Sequence, residues 1–148
     1  MNMQTILGWF LIVFPGILYL GQVISSVNFP LAQRLGLQED PAKTDPLVQR
    51  AEKYAAYWDL LTLAWMPIAG ILMVVNHATW PLFALFAGAI YLDTAGREAA
   101  KYLSFKHAKL RLGSPLQQRL FFSTYLLMAL LAIAALVSSV HSLYNGHL

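Results

Sequence analysis

Cysteine is absent from this chain of 148 residues, so neither a disulfide framework nor a thiolate metal site is available to it. Charge is scarce as well. Asp, Glu, Lys and Arg make up 11% of the residues, whereas a globular domain usually carries about 25%. No nucleotide-binding glycine loop, H-E-x-x-H or G-x-S-x-G pattern occurs, which leaves the common phosphate, zinc-protease and serine-hydrolase chemistries without their residues. Residues 1–27 contain no Lys or Arg, so the basic start of a secretory leader is missing and a retained span is expected there. What the chain does have is apolar surface: 58% of it is hydrophobic and its mean hydropathy is +0.56, a composition suited to a bilayer.

Four apolar stretches are long enough to cross a hydrocarbon core, which takes about 20 helical residues. They cover about residues 5–27, 46–76, 80–105 and 115–143, and no soluble domain or repeat separates them. Pro15-Gly16 is expected to bend the first and Pro67 to kink the second. Asp45-Pro46 and Ser114-Pro115 read as helix starts, with a capping side chain ahead of a proline in the first turn. Asn76-His77-Ala78-Thr79 reads as a tight reversal. Residues 28–37 fit either a short interfacial helix or an irregular loop. The expected fold is all-α, a single integral-membrane domain forming an antiparallel four-helix bundle. Small residues such as Ala84 and Gly88, or Ala134, Ser138 and Ser142, would let its helices approach.

All ten Lys and Arg fall between Arg34 and Lys53 or between Arg97 and Arg119. The net charge of +3 is therefore no nucleic-acid footprint, because the basic residues flank spans and orient them. The positive-inside rule places both basic regions in the cytoplasm and both termini on the other side of a cytoplasmic (inner) membrane. The expected partners are the lipid bilayer and other membrane subunits or further copies of the chain.

Ionisable residues within spans are costly, roughly 2.5–3.5 kcal/mol each at a helix centre, and so draw functional suspicion. Asp93 and Arg97 share a helical face at i,i+4. Counting inward from the His77 reversal at 1.5 Å per residue places Asp59 roughly 27 Å, Asp93 roughly 23 Å and Arg97 roughly 29 Å deep. Gln22, Ser123, Thr124 and Tyr125 come to the same level. The candidate binding residues are therefore Arg97, Asp93, Asp59, Gln22 and Tyr57, with Arg97 as anchor for an anion or lipid headgroup. The competing reading makes the same charges a lock between the second and third spans. Glu98 with Lys101 reads as an interfacial pair.

No catalytic set is expected. His77 and His141 belong to one end of the spans and His107 to the other, so these three cannot converge on a metal, and no cofactor is expected.

The stretch AIYLDTAGREAAKYLSFKHAKLRLGSP, together with PLAQRLGL after the first span, resembles small bacterial four-span membrane proteins of the DoxX-like group. That resemblance implies the fold and carries no activity. Arg50-Ala51 is similar to the start of the Arg-Ala-x-x-Asn-x-x-Glu pattern of MAPEG, a family of four-span glutathione-dependent or eicosanoid enzymes. Tyr54 and Tyr57 stand where that pattern has its Asn and Glu. The leading functional expectation is an accessory or scaffold protein acting by helix packing in the bilayer. The other is a protein, in the extreme a MAPEG-like enzyme, holding a lipid or other amphiphile in a cytoplasmic-side pocket around Arg97.

Overall fold

The computed structural model describes residues 2–146 and is all helical, with no strand among them. Six helices follow in order: α1 (Met3–Val27), α2 (Phe29–Arg34), α3 (Pro46–Thr62), α4 (Trp65–Val74), α5 (Trp80–His107) and α6 (Pro115–Tyr144). Three helical units are long and apolar enough to cross a membrane: α1, α3 with α4 as one stretch from Pro46 to Val74, and α6. The 28-residue α5 has the length. It is not among the three, and the physical reason is its second half, where Asp93, Arg97, Glu98 and Lys101 interrupt the apolar run.

Local sequence explains the helix ends. Asp45 accepts from the Leu47 amide ahead of Pro46, and Ser114 forms a reciprocal capping box with Gln117 ahead of Pro115. Residues 28–37 resolve in favour of the helix, with Asn28 capping α2 through the Leu31 amide. At the reversal Asn76 takes a positive φ of 51°, and the His77 amide returns to the Leu72 carbonyl at 2.9 Å, closing the end of α4.

The two expected proline bends come out differently. α1 continues as one helix through Pro15. The second unit instead breaks at Leu63–Ala64, one turn before Pro67. Proline has no amide to offer the carbonyl four residues back, here that of Leu63. The Tyr91 hydroxyl, from fully buried Tyr91 on α5, donates to that carbonyl at 3.0 Å. A group orphaned by a proline is thus satisfied by the neighbouring helix.

Helix pairing is antiparallel. Gln4 at the start of α1 donates to the Met73 carbonyl at the end of α4, and Ser139 near the end of α6 donates to the Pro81 carbonyl at the start of α5. The closest packing joins α5 with α6, α1 with α4 and α4 with α5, while α1 and α6 touch sparsely. The core between them is built largely of small residues: Ala69, Ala84, Ala87, Ala132 and Ala135 are fully buried. Phe10, Phe14, Leu82, Phe86, Leu126 and Val137 point outward. On α6 the packed face is Ala132, Ala135, Ser139 and Ser142. Of the expected Ala134, Ser138 and Ser142, only Ser142 is on that face, and Ala134 and Ser138 lie at its border.

Two glycines bring α1 and α4 together. A Cβ on Gly8 would lie 2.9 Å from the Gly70 carbonyl oxygen, and one on Gly70 would lie 2.7 Å from that of Gly8. Such backbone contact is open only to residues without side chains.

Both long connections meet at one end. Thr44 bridges to Leu112, the Asp45 amide donates to the Arg111 carbonyl at 2.9 Å, and the Gly113 amide donates to that of Lys43 at 3.2 Å. Tyr102 adds a 2.7 Å hydrogen bond from its hydroxyl to the Leu112 carbonyl. This end carries the basic residues, and a clasp of residues 43–45 and 111–113 closes over it.

Candidate functional site

Beneath the clasp lies a cavity of about 260 Å³, lined by α1, α3, α5, α6 and the connection after α2. Its polar wall comprises Gln22, Gln38, Glu39, Glu52, Asp59, Thr94, Glu98, Gln117, Thr124 and Tyr125. Its apolar wall comprises Ile17, Leu18, Leu37, Leu63, Leu120, Phe121 and Met128.

Helical spacing presents most of these groups. Glu52 and Asp59 are seven residues apart, two turns of α3, and so share a face. Thr94 and Glu98 are one turn apart on α5, and Gln117, Phe121, Thr124 and Met128 run along one face of α6. The connection supplies Gln38 and Glu39. Gln38 is held from both sides, its side-chain amide donating to Ser25 Oγ at 3.1 Å while its carbonyl accepts from Gln117 Nε2 at 3.5 Å. That places Glu39 beneath the clasp at 3% exposure.

Charge is unevenly balanced. Lys101 bridges α3 and α5, its Nζ 2.9 Å from Glu52 Oε1 and 2.5 Å from Glu98 Oε2. One ammonium therefore serves two carboxylates. Asp59, buried at 5% exposure, has no ion pair or side-chain hydrogen bond among the described residues. Two further acceptors are sealed from water without a partner, Glu39 Oε2 and Gln22 Oε1. Unmatched acceptors of this kind are rare in folded proteins and call for a functional account.

Burial and the nearby Glu52 carboxylate push the Glu39 carboxyl from its usual 4.5 up to about 7, with Lys101 acting in the opposite direction. The folded protein therefore keeps a proton on Glu39 at pH values where the unfolded chain has lost it. Stability contributed by this group is full below about pH 4.5, declines as pH rises towards 7, and is constant above that. Melting midpoints from pH 4 to pH 8 should fall less steeply for Glu39→Gln than for wild type. Parallel curves would remove Glu39 as the source.

Of the five residues singled out from the sequence, the structure brings two into the cavity, Gln22 and Asp59. Arg97 and Asp93 do pair, Nε to Oδ2 at 3.6 Å, but on an open face, their side chains 44% and 75% exposed, and neither lines the cavity. Position explains this: Thr94 and Glu98 occupy the inward face of α5, and Asp93 and Arg97, one residue before each, are turned by about 100°. Tyr57 is 46% exposed and also faces outward. The polar pocket is thus not centred on Arg97. Glu98 and Lys101, read as an interfacial pair, are core members of the site and gain Glu52 as a third partner. The seven-residue spacing of Glu52 and Asp59 could have revealed them from sequence. Nothing local could have revealed Glu39, which reaches the cavity only through the clasp.

Among the described residues no three His, Asp or Glu side chains stand close enough to hold a metal ion. The arrangement can hold a proton or a hydrogen-bond-donating ligand, with apolar surface alongside. No family model, curated protein or solved structure matches the chain.

Proposed function

We propose that the protein is an integral membrane bundle of four antiparallel spans that holds an amphiphile in the cavity at its cytoplasmic end. Three spans have the required length and apolarity. The fourth is α5, whose apolar half, from Trp80 to Leu92, packs between α4 and α6. An arrangement with small residues inside and large apolar ones outside suits lipid as the surrounding medium, because close backbone approach replaces the hydrophobic effect as the force joining helices. The grouping of every Lys and Arg at the clasp end supports a cytoplasmic position for that end, in the inner membrane of a bacterium. The layout is in keeping with the DoxX-like resemblance.

The observation that carries the ligand-binding reading is a cavity lined by two buried carboxyl groups, Asp59 and Glu39, that have no ion pair among the described residues, beside an apolar wall. Packing alone requires no such cavity, and filling it with side chains would stabilise a mere scaffold. Native mass spectrometry of protein extracted in mild detergent tests the reading. We expect one small amphiphile per chain, lost in Thr124→Trp, which fills the cavity from α6. A ligand-free mass with a bound polypeptide would instead favour the scaffold, acting on another subunit through its outward apolar faces.

A further inference from the structure

The chemistry of the cavity narrows what it can hold. Glu39, Glu52, Asp59 and Glu98 line it, and among the described residues the one cation bound to any of them is Lys101. Arg97 pairs with Asp93 on the open face and does not line the cavity. Up to three negative charges are therefore uncompensated in a water-poor space, where they demand either protons or a cation. Asp59, which lines the cavity and has no ion pair or side-chain hydrogen bond among the described residues, is an acceptor, as are the sealed and unpartnered Glu39 Oε2 and Gln22 Oε1 in the same wall, so the missing partner is a donor. A metal ion is a poor fit, since no three of the described carboxylates converge. A group that spreads several N–H donors over a few ångströms fits better.

The walls indicate how such a group arrives. Hydrogen bonds of Gln38 and Gln117 hold the connection after α2 over the cavity, and its exposed wall residue Leu37 borders Gly21 on the α1 side of the opening. Between α1 and α6, the two helices that touch sparsely, cavity-lining residues are open to the outside: Ile17 is 62% exposed and Leu120 is 56% exposed. Gly21 borders the same gap, and a Cβ there would meet only Leu37 Cδ2, at 4.0 Å. The opening faces sideways, and in the proposed membrane setting that means towards lipid. A cavity of about 260 Å³ lies below the usual 300–1,000 Å³ of small-molecule sites, enough for a head with a short stretch of chain.

We propose that the cavity receives the primary ammonium head of an amphiphile that enters sideways between α1 and α6 and leaves its apolar tail in that gap. The inference rests on the amphiphile-binding reading above. Its test is saturation binding of radiolabelled n-octylamine to the full chain in phosphatidylcholine nanodiscs, with n-octanol and octyltrimethylammonium as competitors. Octylamine should bind saturably. The two competitors, one without charge and the other without N–H donors, should bind at least about tenfold more weakly. Glu39→Gln and Asp59→Asn should weaken octylamine and leave octanol unchanged, and Gly21→Leu should slow octylamine association. The comparison of probes needs only the wild-type protein, so it stands even if a variant fails to fold. Octanol binding as tightly as octylamine would overturn the ammonium assignment and leave the amphiphile pocket standing. Equal binding of octyltrimethylammonium would overturn the need for a hydrogen-bonding head. An unchanged association rate in Gly21→Leu would overturn sideways entry. Absence of saturable binding by every octyl probe would overturn the pocket reading itself.

Discussion

Replacing Lys101 with Met should cost about 3–5 kcal/mol of stability, the range for breaking a buried ion pair by removing one partner. The Lys101 side chain is 22% exposed and those of Glu52 and Glu98 are 12% and 10% exposed, so water can do little to compensate. Without the ammonium, two carboxylates from adjacent helices face each other in a space that already contains Glu39 and Asp59. We expect little folded protein from Lys101→Met alone. Adding Glu52→Gln and Glu98→Gln should recover most of the loss, because the amides remove the repulsion and can hydrogen-bond each other. The measurement is the yield of monodisperse protein together with its thermal midpoint. If Lys101→Met proved as stable as wild type, the three residues could not be the lock between α3 and α5 that their geometry indicates.

That lock corrects the functional emphasis read from the sequence. The ion pair that joins helices is that of Lys101 on α5 with Glu52 on α3, to which Glu98, one residue beyond Arg97, adds a second carboxylate. Asp93 and Arg97 form a contact within α5 that exposes both partners, and such pairs contribute little, about 0.3–0.5 kcal/mol in helices. Neutralising Arg97 to Gln should accordingly leave stability almost unchanged.

A second large effect is expected where α1 crosses α4. In Gly70→Val the new Cβ would stand 2.7 Å from the Gly8 carbonyl oxygen and 2.9 Å from the Ile12 backbone nitrogen, atoms that cannot rotate away. The helices must separate, and the loss should reach about 3 kcal/mol, the upper part of the usual range for overpacking. Gly96→Ala is the control. Nothing lies within 4 Å of a Cβ there, so relief of the glycine penalty should make that variant neutral or more stable by up to about 1 kcal/mol. Equal thermal midpoints for Gly70→Val and wild type would show that the crossing tolerates a wider gap than the close approach of Gly8 and Gly70 implies.

Much of the scaffold is legible in the chain because it is determined locally. Asp45-Pro46 and Ser114-Pro115 start helices, since a short polar side chain meets orphan amides just where proline has no amide to lose. The apolar runs and the Asn76 reversal follow from composition and backbone preference. The segregation of Lys and Arg likewise needs only the sequence. Counting residues along the spans brings Gln22, Asp59, Thr124 and Tyr125 to one level, and these four line the cavity, whereas Asp93, Arg97 and Ser123 at the same level do not.

What sequence could not supply is direction around each helix axis. Depth along a helix advances by 1.5 Å per residue, but facing turns by about 100°, so an error of one position leaves depth intact and swaps inside for outside. That single step separates the exposed Arg97 from the buried Glu98, and Ser138 from Ser139. It is settled by which small residues allow close approach, Gly88 against Ala132 and Leu136 for α5 with α6. Glu39 lies further out of reach, in a connection with no periodicity, and is brought beneath the clasp by its neighbour Gln38, which is hydrogen-bonded to Ser25 and to Gln117, 79 positions away. The medium the chain suits, its helices and the end that bears charge follow from composition and local chemistry. Which of those charges face inward follows from the packing of neighbours distant in the chain, and so is fixed only in the folded bundle.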